Sequence, residues 1–527
     1  MLGVAAVIGG LAACSGPAAV PGWVAASHVT AAPAVPAWVK GSVPAWVTAG
    51  RAKPSGPAAV TRAPSAADSV LADTSPGALT AEFARTLFAT APVVVVSGTA
   101  GRAPQEAEAA ARAARAPLLL ASPATAAAMT QLAASARALR PVAVLAEGLP
   151  SAGLRELAKE LPGVKVTASA AAVPETGAPL PLSHVAVLVP AQPGKPSAPV
   201  TAVTATAAAA GAAVVSVTGA DPRADPAAIT ALARLRPAAV VAVGAQFGPA
   251  ARLAGRIAVA ETGRQLPGGG QVMFPGRRLV ALYGHPGTPS LGVLGQQGLA
   301  ASIARARQLA ASYRPLSRVP AVPAFEIIAT VAEASPGPDG SYSYETPVSQ
   351  LLPWVRQATA DGLYVVLDLQ PGRASLLTQA EHYQALLELP GVGLALDGEW
   401  KLQPGQRPLQ QIGHVNIGEV NSVVSWLAAL TARYNLPQKL LVLHQFQLAM
   451  LPGEKQLDTS HDDLAIVIHM DGQGTPALKQ ATWNAVTAAA PPGVYFGWKN
   501  FLVKDHPMLT PVQTMTKSPT PVMISYQ

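Results

Sequence analysis

Four carboxylates in the second half of this 527-residue chain follow apolar runs, and their neighbours suggest what they could do. LYVVLD ends at Asp368, GVGLALD ends at Asp397 with Glu399 and Trp400 just beyond, and LAIVIHMD ends at Asp471. Paired carboxylates beside tryptophan are what glycoside hydrolysis requires. One acid protonates the leaving oxygen while a second carboxylate attacks as nucleophile or activates water. Asp368, Asp397, Glu399 and Asp471 are therefore the candidate catalytic residues. Trp400 and Trp498 are candidate platforms for sugar rings. Lys499, His444, His469, Glu333 and His285 are candidate substrate-binding groups, placed to orient a substrate or tune the acid. If the strand persists through Asp397 and Glu399, these i and i+2 residues stand about 7 Å apart on one face. That spacing leaves retention and inversion both open.

Two other readings use the same residues. His285, His444, His469, Asp397 and Asp471 could ligate a divalent ion that activates water against a phosphodiester. The GHPG turn at 284–287 faintly resembles the His-Arg-Gly of glycerophosphodiester phosphodiesterases, although the Arg is absent and no E-x-D pair follows the second strand. The other alternative is a non-catalytic domain that only binds glycan. No Walker-type loop and no G-x-S-x-G occurs, which argues against nucleotide chemistry and a serine nucleophile. The glycosidase reading calls for no cofactor and no metal.

Such residues need a scaffold that brings strand ends together. Eight strand-like runs occupy 271–527: 277–284, 324–332, 363–369, 392–398, 439–446, 464–472, 494–501 and 521–527. Helical segments such as 348–361, 379–389 and 417–434 lie between most of them. The span matches the ~250 residues of a (β/α)8 barrel, whose active sites lie at the C-terminal ends of the strands. Alternation then sorts the side chains. Tyr364, Val366 and Asp368 share one face, as do Gly393, Ala395 and Asp397, while the bulkier Leu363, Val365, Leu367, Val392, Leu394 and Leu396 face outer helices. Asp368 and Asp397 are thus expected to point into the barrel mouth from neighbouring strands.

The first half has a different texture. Residues 76–265 alternate Ala-rich helical segments with buried strands at 93–96, 117–122, 142–148, 185–190, 212–219 and 238–244. Near-continuous apolar strands between helices imply parallel, doubly covered sheets. LRPVAVLAEG (139–148) recurs as LRPAAVVAVG (235–244), and APLLLASP (116–123) aligns with AAVVSVTG (212–219), both at an offset of 96 residues. The order VVVVSG, Ala-rich helix, APLLLASP, second helix, LRPVAVLAEG resembles the type 2 cell-wall-binding repeats of Gram-positive surface proteins. GRAPQEAE (101–108) stands where that family has a phenylalanine–proline–aspartate signature, and its closing glycine pair is reduced to Glu147–Gly148 and Val243–Gly244. The resemblance implies a wall-facing module and a cell-wall glycan or envelope polysaccharide as partner. The fold class is therefore α/β: N-terminal repeated units with parallel sheets, followed by a C-terminal (β/α)8 TIM-like barrel.

The extreme N-terminus bears on location. LGVAAVIGGLAA (2–13) is a short apolar run, and LAAC at 11–14 fits the bacterial lipobox, in which cleavage precedes a lipid-bearing cysteine. Cys14 is the chain's only cysteine, so an internal disulfide framework is excluded. No Lys or Arg precedes the apolar run, where a signal peptide carries a basic region. Residues 1–14 read as a lipoprotein signal and 15–75 as a Pro/Ala-rich tether with PGWV, PAWV and PAWV at 21–24, 36–39 and 44–47. The expected location is extracytoplasmic, membrane-anchored through the N-terminal lipid, as in actinobacterial surface lipoproteins. Heavy use of Ala, Pro and Gly with few Lys suggests a GC-rich genome. The +8 net charge forms no Lys/Arg cluster interleaved with aromatics, which argues against nucleic acid.

Overall fold

The computed structural model describes residues 56–121 and 125–527. The readings of the 1–14 signal, of Cys14 and of the tryptophan repeats concern residues outside these. Among the described residues, no helix is long and apolar enough to cross a membrane.

The valine- and alanine-rich runs of the first half form two four-stranded, all-parallel sheets. One has the order Leu118–Ala121, Val93–Gly98, Ala143–Glu147, Lys165–Thr167. The other runs Asp68–Leu71, Ala239–Val243, Val185–Pro190, Ala213–Val217. The strand Asp68–Leu71 lies inside the stretch expected to be tether. Its backbone completes the edge of the second sheet beside Val240–Val243, so the folded region begins earlier than composition suggested. The helices Ala103–Ala114 and Ala198–Ala209 pack through Ala107, Ala111, Ala202 and Ala205. Thr206 Oγ1 accepts from the Leu118 amide at 2.9 Å, tying the helix Ala198–Ala209 to the edge strand Leu118–Ala121 of the first sheet.

The second half is a closed barrel of eight parallel strands. They are β1 (Arg278–Gly284), β2 (Ala321–Ala332), β3 (Tyr364–Leu369), β4 (Val392–Leu396), β5 (Lys439–Gln445), β6 (Leu464–Met470), β7 (Tyr495–Asn500) and β8 (Met523–Tyr526). Each pairs with the next, and β8 returns to β1, which also pairs with β2. All eight expected runs are strands. Helices follow most of them, as at Leu299–Tyr313, Val348–Ala360, Ile417–Arg433 and Pro476–Ala489, whereas β5 is followed only by short 3-10 turns. Ile417–Arg433 buries Ile417, Val420, Val423, Val424, Leu427 and Leu430, the stripe of an amphipathic helix lying on a barrel wall.

Alternation divides the strands as expected. Val365, Leu367, Val392, Leu394 and Leu396 belong to the outer core beneath the helices, while Tyr364, Val366 and Ala395 join Leu279, Leu440, Val442 and Val467 inside. Below the mouth the barrel is therefore filled by apolar side chains. The α/β half attaches at the opposite end. Asp462, just before β6, receives Arg223 Nη2 at 2.7 Å and Arg256 Nε at 2.8 Å, which leaves the C-terminal strand ends free of that contact.

Candidate active site at the barrel mouth

Above this apolar filling, every strand contributes an inward polar side chain to a charged layer at the mouth. They are Tyr283 (β1), Glu326 (β2), Asp368 (β3), Asp397 just past β4, His444 (β5), His469 with Asp471 just beyond (β6), Lys499 (β7) and Ser525 (β8); none is more than 6% exposed. Register pairs some of them directly, with Tyr283 opposite Glu326, His444 opposite His469, and Lys499 opposite Ser525, while Asp368 stands two residues beyond Val366, the partner of Glu326. Gly497 is required here, because a Cβ would come within 2.5 Å of the His469 ring.

His444 is the hub. Its Nε2 lies 2.9 Å from Glu326 Oε1, its Nδ1 lies 3.1 Å from Asp471 Oδ2, and Asp368 Oδ1 is 3.8 Å from Nε2. Burial works against the charged form, but Glu326 and Asp471 outweigh it and hold the imidazole protonated well above its ordinary range. The neighbouring ring of His469, 5.2 Å away between centroids, behaves oppositely. Burial, reinforced by the positive charges of His444 and Lys499, keeps it neutral, and its Nε2 meets Ser525 Oγ at 3.1 Å. Lys499 Nζ sits 3.5 Å above the centre of the Tyr283 ring, and the Tyr283 hydroxyl donates to Asp368 Oδ2 at 2.8 Å.

The carboxylates separate into distinct states. Burial alone would raise Asp471, but the His444 hydrogen bond and charge, with Lys499, lower it below the usual range. Glu399 is pushed up to about 7 by burial and then by Asp471. Asp397 is raised well above the carboxylate range by burial, Glu399 and Asp368. Asp368 is pushed up to about 6, chiefly by burial, with Glu326 adding and His444 opposing. One oxygen each of Asp397, Glu399 and Asp471 lies within 4.8 Å of the others. Asp471 Oδ1 and Asp397 Oδ1 are buried without a hydrogen-bond partner.

A cleft of about 320 Å³ opens over this layer, with Glu399, Trp400, Asp471, Lys499, Gln370 and Tyr283 in its lining. Of the four candidate acids, Glu399 and Asp471 face the cleft, whereas Asp397 and Asp368 do not line it and are buried. Trp400 is half-buried in the wall.

Three expected ligands lie elsewhere. Trp498 is fully buried on the outer side of β7, packed on Trp483 at 5.5 Å between centroids and donating to Asn500 Oδ1. Alternation forbids adjacent Trp498 and Lys499 from sharing a face, and the lysine is the inward one. His285 has its two ring nitrogens 3.1 Å from the hydroxyls of Thr288 and Thr346, outside the charged layer. Glu333 is exposed beyond the mouth, because β2 overshoots the rim and pairs antiparallel with Ser343–Glu345. The acid that β2 does supply is Glu326. Its sequence signal was a lone carboxylate inside the apolar run AFEIIATVA, on the same face as Ala324 and Ile328.

The histidine-containing metal set does not assemble, since both nitrogens of His444 are occupied by carboxylates and those of His285 by hydroxyls. Among the described residues, the group that could hold a hard divalent cation is Asp397, Glu399 and Asp471, an all-oxygen set. No protein-family model matches this chain, and no curated protein sequence matches it.

Proposed function

We propose that the barrel is a retaining glycoside hydrolase acting on an envelope polysaccharide, with Asp471 as nucleophile and Glu399 as acid and base. The observation that carries this reading is the approach of Glu399 and Asp471 to within 4.8 Å, oxygen to oxygen, on one cleft. Retaining enzymes hold their carboxyl groups about 5–5.5 Å apart, whereas inverting ones need about 6.5–9.5 Å for an intervening water. The opposed electrostatics support the same roles. Glu399 keeps a proton near neutrality, while Asp471 is ionised and its buried Oδ1 has no hydrogen-bond partner.

In the first step Asp471 Oδ1 bonds to the anomeric carbon as the glycosidic bond breaks, and Glu399 gives its proton to the leaving oxygen. In the second, Glu399 takes a proton from water, whose oxygen displaces Asp471 and regenerates the free carboxylate. His444 fixes Asp471 through Oδ2, so the other oxygen is the one that reacts. Trp400 offers a ring face to the sugar, and Lys499 a positive charge beside it.

The location reading rests on sequence: lipidation at Cys14, a tether, and an α/β module at 76–265 resembling wall-binding repeats. In each parallel sheet the first strand of the unit lies between the second and third, which supports two related units. The test is hydrolysis of purified envelope polysaccharides by the full chain, read as new reducing ends, with product anomers followed by NMR. Cleavage with retention, abolished by Glu399→Gln and by Asp471→Asn, is expected. Inversion, or activity that survives Asp471→Asn, would overturn the assignment; binding without any cleavage would favour the non-catalytic glycan binder. A metal-dependent phosphodiesterase has one observation in its favour, the three converging carboxylates. Under that reading EDTA abolishes activity and phosphodiesters are cleaved; under ours EDTA leaves glycan cleavage intact.

A further inference from the structure

Glu399 and Trp400 border more than the cleft. On their far side a second hollow, of about 450 Å³, is walled by Leu402 and Ile412 with Gln410 and Gln411 beside them. Glu399, Trp400 and Leu409 line both hollows, so the two adjoin at the acid. Each volume falls within the ~300–1,000 Å³ of ordinary ligand sites.

The loop that builds the second hollow is fixed to the acid itself. The Gly413 amide donates to the Glu399 carbonyl at 2.7 Å, and a Cβ at 413 would come within 2.6 Å of that oxygen, so only glycine permits the approach. Leu402 N is held by Gly372 O at 2.8 Å, and Lys401 Nζ by Glu419 at 2.7 Å. Leu409 stands at the junction with two unfavourable features. It is an aliphatic residue 84% exposed, and its φ of 63° lies in the left-handed region that bulky side chains rarely adopt. Strain of this kind concentrates at ligand clamps.

We propose that the two hollows form one groove, with Leu409 as the lip between its halves, that takes a glycan chain across Glu399 and so directs cleavage to internal linkages. This rests on the glycosidase reading, which assigns Glu399 its role. A chain threaded past the acid places sugars on both sides of the scissile bond. The mixed lining of Trp400 and aliphatic groups beside glutamine amides suits the apolar faces and hydroxyl edges of sugars. A single terminal sugar would fill only one half.

The test uses the full chain carrying Glu399→Gln, which binds without turnover. It is offered partial acid hydrolysates of the same envelope polysaccharides, and retained fragments are sized by mass spectrometry. Long fragments should be retained and mono- and disaccharides not. Adding Leu409→Gly should weaken retention of the long fragments about tenfold, while urea unfolding shows a fold at least as stable, since glycine relieves the strain. Adding Ile412→Trp, which fills the second hollow, should act in the same direction. Equal retention of short and long fragments, or no change on either addition, would overturn the groove and leave the hydrolase standing. Retention of no fragment at any length would overturn both.

Discussion

Replacing Asp368 by Asn should stabilise the protein at pH 8. Asp368 is fully buried, with Oδ2 accepting from Tyr283 at 2.8 Å and Oδ1 without a hydrogen-bond partner. Its ionised form is disfavoured: burial pushes the carboxyl from 3.8 up to about 6 despite His444, Tyr283 and Lys499. Each unit is worth 1.36 kcal/mol, so ionised Asp368 costs the folded state about 3 kcal/mol. The sign follows from proton binding. Between pH 4 and 6 the folded state holds a proton that the unfolded chain has released, so stability falls as pH rises through that window. The cost is absent below the unfolded value and complete above about 6. An asparagine of the same shape keeps an acceptor for Tyr283 and carries no charge. Urea unfolding followed by tryptophan fluorescence should therefore show the variant more stable by about 3 kcal/mol at pH 8, the gain vanishing toward pH 4. A loss at pH 8, or a gain of equal size at both pH values, would refute the reasoning.

The same electrostatics shape activity. With Glu399 needed in its acid form and pushed up to about 7, kcat/KM should decline as pH rises through about 7. With Asp471 lowered, the acid-side decline should lie below the ordinary carboxylate range; an alkaline limb well removed from 7 would contradict the role of Glu399. Glu326→Gln removes one of the two carboxylates gripping His444, weakening the charge that keeps Asp471 ionised. It should move the acid limb upward with a smaller change in KM, whereas a purely structural role would lower stability and leave the limb in place. The two tryptophans should separate cleanly. Trp498→Ala empties the outer layer at a cost of about 3–5 kcal/mol without altering KM, and Trp400→Ala raises KM with little effect on urea unfolding.

The barrel was legible because its strands are apolar on both faces, and such runs stand out against polar connections. The same purity limited the reading at the rim. Where a strand ends in sequence is not where it crosses the mouth in space: β2 runs from Ala321 to Ala332, and the mouth meets it at Glu326, six residues before its end. Reading only strand ends therefore selected Glu333 and passed over Glu326. Tyr283 and Ser525 were missed for a related reason, since each becomes polar-site material only when the barrel closes and brings β1 beside β8. Trp498 was the opposite case, since alternation alone already excluded it once Lys499 was placed inward. The early edge strand Asp68–Leu71 carried no such signal, because its partner Val240–Val243 lies 172 residues away.

The closed barrel also explains why so many acids can be held together. Glu326, Asp368, Asp397, Glu399 and Asp471 are gathered around two buried cations, His444 and Lys499, and burial weakens the screening that water would supply. An open sheet could relieve such an excess by splaying its strand ends. Here each strand is bonded on both sides, and a one-residue slip would turn its whole inward face outward. The repulsion is instead relieved by protonation, which falls first on Asp397 and then on Glu399, while Asp368 is protonated only below about 6. Asp471, gripped by His444, remains ionised. A neutral acid beside a charged carboxylate on the same cleft is thus a consequence of register and burial, and it is the pairing that glycoside hydrolysis uses.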